Sequence, residues 1–176
     1  MVKLIRLGAC CLLMHNMVKY NLKKETQVFD WYAANDFNYV NVILNKIANE
    51  EMINVLLVGS METSDMHYKL VDSDIVTSHY NHNTTNEFYD IVNRRAKRFL
   101  NDVKNNEDIL FIRHDRYNHI TYEGVEEFFK IIRKMNPNLK FKLLLLSDKI
   151  IEHENVINKV YDEDQNFNYI QECCFT

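Results

Sequence analysis

The sequence predicts a single α/β domain, a three-layer sandwich built around a mostly parallel sheet of about five strands. Short apolar segments alternate along the chain with longer segments of helical periodicity. Two of the short segments, Asp108–Arg113 and Leu139–Leu146, contain runs of adjacent apolar residues, which is typical of a sheet covered on both faces. The helical segment Thr121–Met135 joins these two strands, and a strand–helix–strand unit of this length forms a right-handed parallel crossover.

The first third of the chain predicts one strand and two helices. Val2–Leu7 is a short, largely apolar run that stops at Gly8, which indicates a buried strand. Cys10–Lys19 contains helix-favouring Leu and Met and predicts the first helix. After a loop, apolar residues recur at near-helical spacing from Phe37, which predicts a second helix that ends around Asn49.

The middle third predicts two further strands of the same sheet and an amphipathic helix. Ile53–Val58 is an apolar run that stops at Gly59, and Asp74–Ser78 is a short β segment that enters the polar stretch His79–Asn86. Phe88–Val103 places its apolar residues on one face and a group of arginines and lysines mostly on the other. This segment therefore predicts a helix with a basic exposed side.

The length of 176 residues is that of one domain, and the sequence contains no internal repeat, linker or low-complexity segment. We therefore predict one domain over residues 1–176. Residues 150–176 predict a short helix or strand followed by an acidic, weakly ordered, peripheral tail.

Composition and charge restrict the classes of function. The net charge of −4, from 25 acidic and 21 basic residues, disfavours binding to nucleic acid or to an anionic membrane. No apolar run approaches the roughly 20 residues that span a bilayer. The four cysteines form two adjacent pairs, Cys10–Cys11 and Cys173–Cys174, a spacing that matches neither a disulfide framework nor a zinc site. We therefore expect a cytoplasmic protein.

Ligands of parallel α/β sheets bind beyond the carboxyl ends of the strands, so the groups that follow each predicted strand are candidates. Cys11 is the most reactive type among them, because a helix start favours the thiolate of a cysteine. The alternative is that Cys11 is a small buried hydrophobe, and the residues by themselves favour that alternative. The groups that follow the five predicted strands are Gly8, Cys10, Cys11, Ser60, His79, His82, His114, Asp115, His119, Ser147 and Asp148.

Five segments between residues 4 and 113 resemble, in order, the motifs of a family of papain-like cysteine peptidases of unknown function, found mainly in bacteria and large DNA viruses. The segments are LIRLGACC, LKKETQVFDW, HYNHN, NRRAKRFL and DILFIR. The match covers the motif Leu-Gly-x-x-Cys, an FDW motif, an isolated His, an Arg-rich helix and an apolar strand that ends in Arg. Two positions depart from the family pattern, since Val28 replaces the usual Pro and Cys10 replaces a polar residue.

The resemblance implies a hydrolase or acyl transferase that acts on a peptide or another acyl compound and needs no cofactor. In that mechanism Cys11 attacks the substrate, His79 takes the thiol proton, and Asp30 orients the imidazole. The residues by themselves leave His79 open as a surface histidine and Asp30 as a loop or helix-capping carboxylate. The family's arginine positions imply substrate or anion binding by Arg94, Arg95, Arg98 and Arg113.

Two other classes of function stay open. Asp115 and His119, followed by Gly124 and a helix, are similar to the Asp–His block of SGNH-type esterases and form an alternative catalytic pair. A metal site at His114, Asp115 and His119 is disfavoured, because such neighbours usually make ordinary loop contacts. The non-enzymatic alternative is a protein-binding domain, in one interpretation of viral origin, whose basic helix or His-rich loops bind a host or viral protein.

Overall fold

A computed structural model describes residues 2–8, 11–22, 25–60, 66–77, 84–117, 119–162 and 165–175. The strands are β1 (Lys3–Arg6), β2 (Tyr32–Ala33), β3 (Val55–Ser60), β4 (Met66–Leu70), β5 (Val76–Thr77), β6 (Asp108–His114), β7 (Lys140–Leu146) and β8 (Val156–Lys159). The helices are α1 (Cys11–Lys19), α2 (Phe37–Ala48), α3 (Thr85–Asn105), α4 (Tyr122–Met135) and α5 (Asn166–Phe175).

The predicted α/β class and its parallel sheet are confirmed. Four strands form a parallel sheet in the order β1-β6-β7-β8, and both of its faces are apolar. Side chains such as Phe111 and Leu143 point to one face and pack with helices α2, α3 and α4. Side chains such as Ile112 and Leu144 point to the other face and pack with α1 and α5. Alternate residues of one strand thus belong to two separate cores.

The mostly parallel sheet, predicted with about five strands, has four, because two of the predicted strands lie in another sheet. The segments predicted at Ile53–Val58 and Asp74–Ser78 become β3 and β5 of a second, antiparallel sheet with the order β2-β5-β4-β3. Strand β4 completes this sheet, and its mixed sequence MHYKL did not predict a strand. Periodicity identifies an apolar run as a strand but contains no information on which partner it pairs with, so the two sheets could not be told apart.

The carboxyl-terminal segment is more regular than the predicted tail. Strand β8 extends the parallel sheet beside β7, and α5 follows it. Ile170 of α5 is 2% exposed and belongs to the core on the α1 face of the sheet. The apolar residues of this segment are few and widely spaced, so the sequence did not predict that they pack in one core.

The helices begin at side chains suited to capping. The hydroxyl of Thr84 accepts a hydrogen bond from the Glu87 amide and donates one to the Glu87 carboxylate, so Thr84 caps the start of α3. Thr121 accepts from the Gly124 amide at the start of α4. Within the described ranges, no helix is both long enough and apolar enough to cross a membrane.

Candidate active site at the carboxyl ends of β1 and β6

The neighbouring strands β1 and β6 lead into helices on opposite faces of the parallel sheet. Helix α1, which follows β1, packs on one face, and helix α4, which follows β6, packs on the other. We call this place, where the helices that follow two adjacent parallel strands leave the sheet on opposite faces, the switch point. Ligands of open α/β sheets usually bind outside the carboxyl ends of the strands. Cys11, as the first residue of α1, lies at this switch point.

Arg113 anchors a loop across the end of β1. Its guanidinium is fully buried and donates hydrogen bonds to the carbonyls of Leu7 and Asn35, both at 2.9 Å. Gly8 has φ +75°, and a Cβ added there would lie 2.8 Å from the Cβ of Ala34. Glycine is therefore required at this turn both for its backbone conformation and for the close approach of the loop.

Asp30 lies in a tight turn beside α1. The carboxylate is fully buried and accepts a 2.5 Å hydrogen bond from the backbone N–H of Gln27. The next residue, Trp31, has φ +67°, and its ring lies 5.0 Å from the ring of His15 in an edge-on contact. His15 is one helical turn beyond Cys11, so the structure brings the turn that contains Asp30 next to the helix that begins at Cys11.

His79 lies outside the described residues, as do Ala9 and Cys10, and the side chain of Cys11 is not described either. The strand before His79 is nevertheless informative. Strand β5 runs antiparallel to β2 and pairs Thr77 with Tyr32. The carboxyl end of β5 therefore lies at the end of β2 where Trp31 and Asp30 are found. One residue, Ser78, separates Thr77 from His79 in the sequence.

His114 ends β6 at the same switch point. From the sequence, His114 was predicted only as one of the groups that follow the strands and as a disfavoured metal ligand. Its ring stacks on Tyr161 with centroids 3.8 Å apart and an interplanar angle of 8°. Burial, followed by the positive charges of Arg113 and Arg116, lowers the pKa of His114 from 6.5 to about 4. The imidazole is therefore neutral at pH 7.

The alternative pair Asp115 and His119 is joined through the backbone. The two carboxylate oxygens of Asp115 accept hydrogen bonds from the amides of His119, at 3.2 Å, and Ile120, at 2.9 Å. The His119 side chain is exposed and lies against the ring of Tyr117, with centroids 5.9 Å apart. The observed contacts of Asp115 thus shape the β6–α4 connection.

The four arginines predicted to bind an anion lie in different environments. Arg98 of α3 donates to the carbonyl of Thr26 at 2.7 Å and lies 3.8 Å from the Glu25 carboxylate. It therefore holds the loop that leads to Asp30. Arg94 is exposed on α3, Arg95 is half-buried on the same helix, and Arg113 is buried at the sheet edge.

In the part of the chain that the structure describes, no group of three or more His, Cys, Asp or Glu residues is arranged to hold a metal ion.

Comparison of the chain with protein-family models, curated proteins and solved structures gives no match. The resemblance to cysteine peptidases therefore stays a prediction from the motifs alone.

Proposed function

We propose that this protein is a cysteine-dependent hydrolase or acyl transferase whose nucleophile is Cys11. The observation that supports this most directly is the position of Cys11 at the first residue of α1, directly beyond the carboxyl end of β1 at the switch point. The first amides of a helix have no partner within the helix, and the helix dipole is positive at this end. Both favour the thiolate form of a cysteine, which is its nucleophilic form.

The proposed base is His79, and Asp30 orients it. Support comes from the paths of the chain, because Asp30 and the carboxyl end of β5 both lie beside Trp31. The burial of Asp30 also suits a carboxylate that holds an imidazole in one orientation. Arg98 stabilises the loop before Asp30, because its guanidinium donates a hydrogen bond to the Thr26 carbonyl.

The proposed chemistry is acyl transfer through a thioester. The Cys11 thiol loses its proton to His79, and its sulfur forms a bond to the acyl carbon of a peptide or other acyl compound. The bond from that carbon to the leaving group breaks, and the leaving group takes the proton from His79. Water or another acceptor then attacks the thioester and releases Cys11 as the thiol. No step requires a cofactor.

The decisive test is the pH dependence of Cys11 alkylation by iodoacetamide, followed by mass spectrometry so that Cys10 is measured separately. Cys173 and Cys174 are replaced in all samples, and the protein is compared with its His79→Ala variant. We expect a Cys11 thiolate that titrates well below the ordinary value of about 8.5 and shifts upward without His79. A Cys11 that reacts only after unfolding would show instead that it is a core residue.

One observation favours the non-catalytic alternative, a domain that binds a host or viral protein. Strand β3 is at the edge of the antiparallel sheet, and its residues Leu56, Leu57 and Val58 are 55%, 41% and 48% exposed. An uncharged apolar edge strand is a template for pairing with a strand of another protein. An inert Cys11 would make this alternative the preferred one. The esterase-like alternative has no comparable observation in its favour.

We also propose the finer classification of the fold and a location. With helices on both faces of the four-stranded parallel sheet, the domain is best classed as a three-layer α/β sandwich to which an antiparallel sheet is added. A cytoplasmic location agrees with a reactive thiol, because reducing compartments keep cysteines free.

A further inference from the structure

We infer that the amino ends of the parallel strands form a second binding site, a cationic pocket for a small molecule that carries phosphate groups. This amino-end pocket has a volume of about 480 Å³, and volumes of roughly 300–1,000 Å³ are typical of sites for small molecules. Strand β6 has seven residues, so roughly 20 Å separate the pocket from the carboxyl end of the sheet. The pocket is therefore distinct from the proposed active site and does not depend on it. Among the described residues that line it are Asp108, Arg133, Lys140, Lys142 and Cys173.

Two lysines of β7, Lys140 and Lys142, supply the positive charge of one wall. Side chains alternate along a strand, so both lysines share the sheet face of Leu144, which packs in the same core as Ile170 of α5. Residues two apart in a strand are separated by about 6.6 Å. Both ammonium groups can therefore reach one ligand that has two adjacent phosphate groups, and lysine commonly binds phosphate as a point charge.

The charges of Lys140 and Lys142 are not neutralised within the described part of the chain. No carboxylate in the described ranges lies within 4 Å of either ammonium group, whereas the Lys46 ammonium lies 2.6 Å from the Asp72 carboxylate. Asp108 lines the pocket and is paired in register with Lys140, but no ion pair joins these two described side chains. An anion that enters the pocket thus meets two ammonium groups without displacing a carboxylate.

Arg133 of α4 adds a positive charge that is fixed in position. Its Nη1 donates hydrogen bonds to the carbonyls of Pro137, at 3.2 Å, and Leu139, at 2.5 Å. The guanidinium also lies 4.6 Å from the centroid of the Phe141 ring, which is a cation–π contact. Three cations and one carboxylate, that of Asp108, therefore line the described part of the pocket. This balance favours an anionic ligand.

The opposite side of the pocket is apolar. Val2, Leu110 and Cys173 line it, and all three belong to or pack against the core on the α1 face of the sheet. Burial raises the pKa of the Cys173 thiol, although the positive charges of Lys159 and Lys142 oppose this rise. The thiol is therefore protonated at pH 7 and contributes an uncharged surface. A phosphate ester, which joins an anionic group to a less polar one, suits this arrangement.

The test is a titration of the full chain with inorganic pyrophosphate at constant ionic strength, followed by ¹H–¹⁵N NMR. Succinate, a dianion without phosphate groups, is titrated in parallel. Lys140→Gln/Lys142→Gln removes both charges, and Lys140→Arg/Lys142→Arg keeps them. Lys97→Gln/Lys130→Gln is the matched control, because it removes two exposed lysines that lie outside the described lining of the pocket.

We expect pyrophosphate to shift the backbone amide signals of Leu110, Lys142 and Cys173 in the wild type, and to do so saturably. The double Gln variant should bind pyrophosphate roughly tenfold more weakly, because it loses two charge-assisted hydrogen bonds. The double Arg variant and the matched control should bind pyrophosphate as tightly as the wild type.

Three results would contradict the amino-end pocket as a binding site: no saturable shift in the wild type, shifts spread over the whole surface, or an unchanged affinity in the folded double Gln variant. Succinate binding as tight as that of pyrophosphate would overturn the assignment to phosphate. Melting temperatures show whether each variant folds, and Lys142→Gln alone provides the same comparison if the double Gln variant does not. None of these outcomes depends on the reactivity of Cys11.

Discussion

Gly8 at the end of β1 is the position where a single methyl group should do the most damage. Gly8→Ala forces an L side chain into a backbone with φ +75° and places its Cβ 2.8 Å from the Cβ of Ala34. The left-handed conformation costs roughly 1–2 kcal/mol for a residue with a Cβ. Overpacking a tight contact typically costs about 1–3 kcal/mol more. We therefore expect the free energy of unfolding to fall by about 2–5 kcal/mol.

The two contributions can be separated in a double-mutant cycle followed by urea denaturation and circular dichroism. Ala34→Gly removes the atom that Gly8→Ala would contact, so the double variant should recover the part of the loss that is due to overpacking. Gly59→Ala is the matched control, because Gly59 has φ +149° but no atom lies within 4 Å of its added Cβ. A Gly8→Ala protein within about 0.5 kcal/mol of the wild type would refute the reasoning.

Three further predictions concern pH, capping and the carboxyl-terminal helix. The pKa of His114 falls from 6.5 to about 4 on folding, so the unfolded chain binds more protons between these values and stability declines as pH falls from 6.5 to 4. The part of this loss that is due to His114 should approach about 3 kcal/mol, so urea titrations of His114→Gln should show a correspondingly smaller loss than those of the wild type; equal pH profiles would contradict it. Thr84→Ala should cost about 1 kcal/mol by removing the cap of α3, while Thr85→Ala, one residue into the helix, should change urea stability little. Ile170→Ala should cost about 2–4 kcal/mol because Ile170 is 2% exposed, and a loss below about 0.5 kcal/mol would show that α5 does not contribute to the core.

The candidate site was only partly predictable from the sequence. The helix α1, predicted from Cys10 and observed from Cys11, and the strand β6, predicted to end at Arg113 and observed to end at His114, follow from local patterns, because an apolar run and a helical repeat each involve neighbouring residues. The role of Arg113 did not follow. Its bonds to Leu7 and Asn35 join residues that lie 106 and 78 positions away in the chain.

His114 and Asp115 are neighbours in the sequence, but the tertiary structure gives them different surroundings. Both were recognised as polar residues at a strand end, where ligands usually bind. The contacts that separate them are specific to the fold, since His114 stacks on Tyr161 of the chain after β8, whereas Asp115 accepts hydrogen bonds from the two nearby amides of its own loop. Sequence distance gave no indication of which histidine would be buried and neutral.

The sequence by itself determined the α/β class, the parallel unit β6–α4–β7 and the identity of most helices, because these depend on the periodicity of side chains along one segment. Only the tertiary structure decided that β3 and β5 leave the parallel sheet and that β8 joins it. Strand pairing is a choice between distant segments that compete for the same backbone hydrogen bonds, and their local sequences are equally compatible with either sheet. The position of Cys11 likewise depends on tertiary structure, because it follows from the pairing of β1 with β6 and from the packing of α1 and α4 on opposite faces of the sheet.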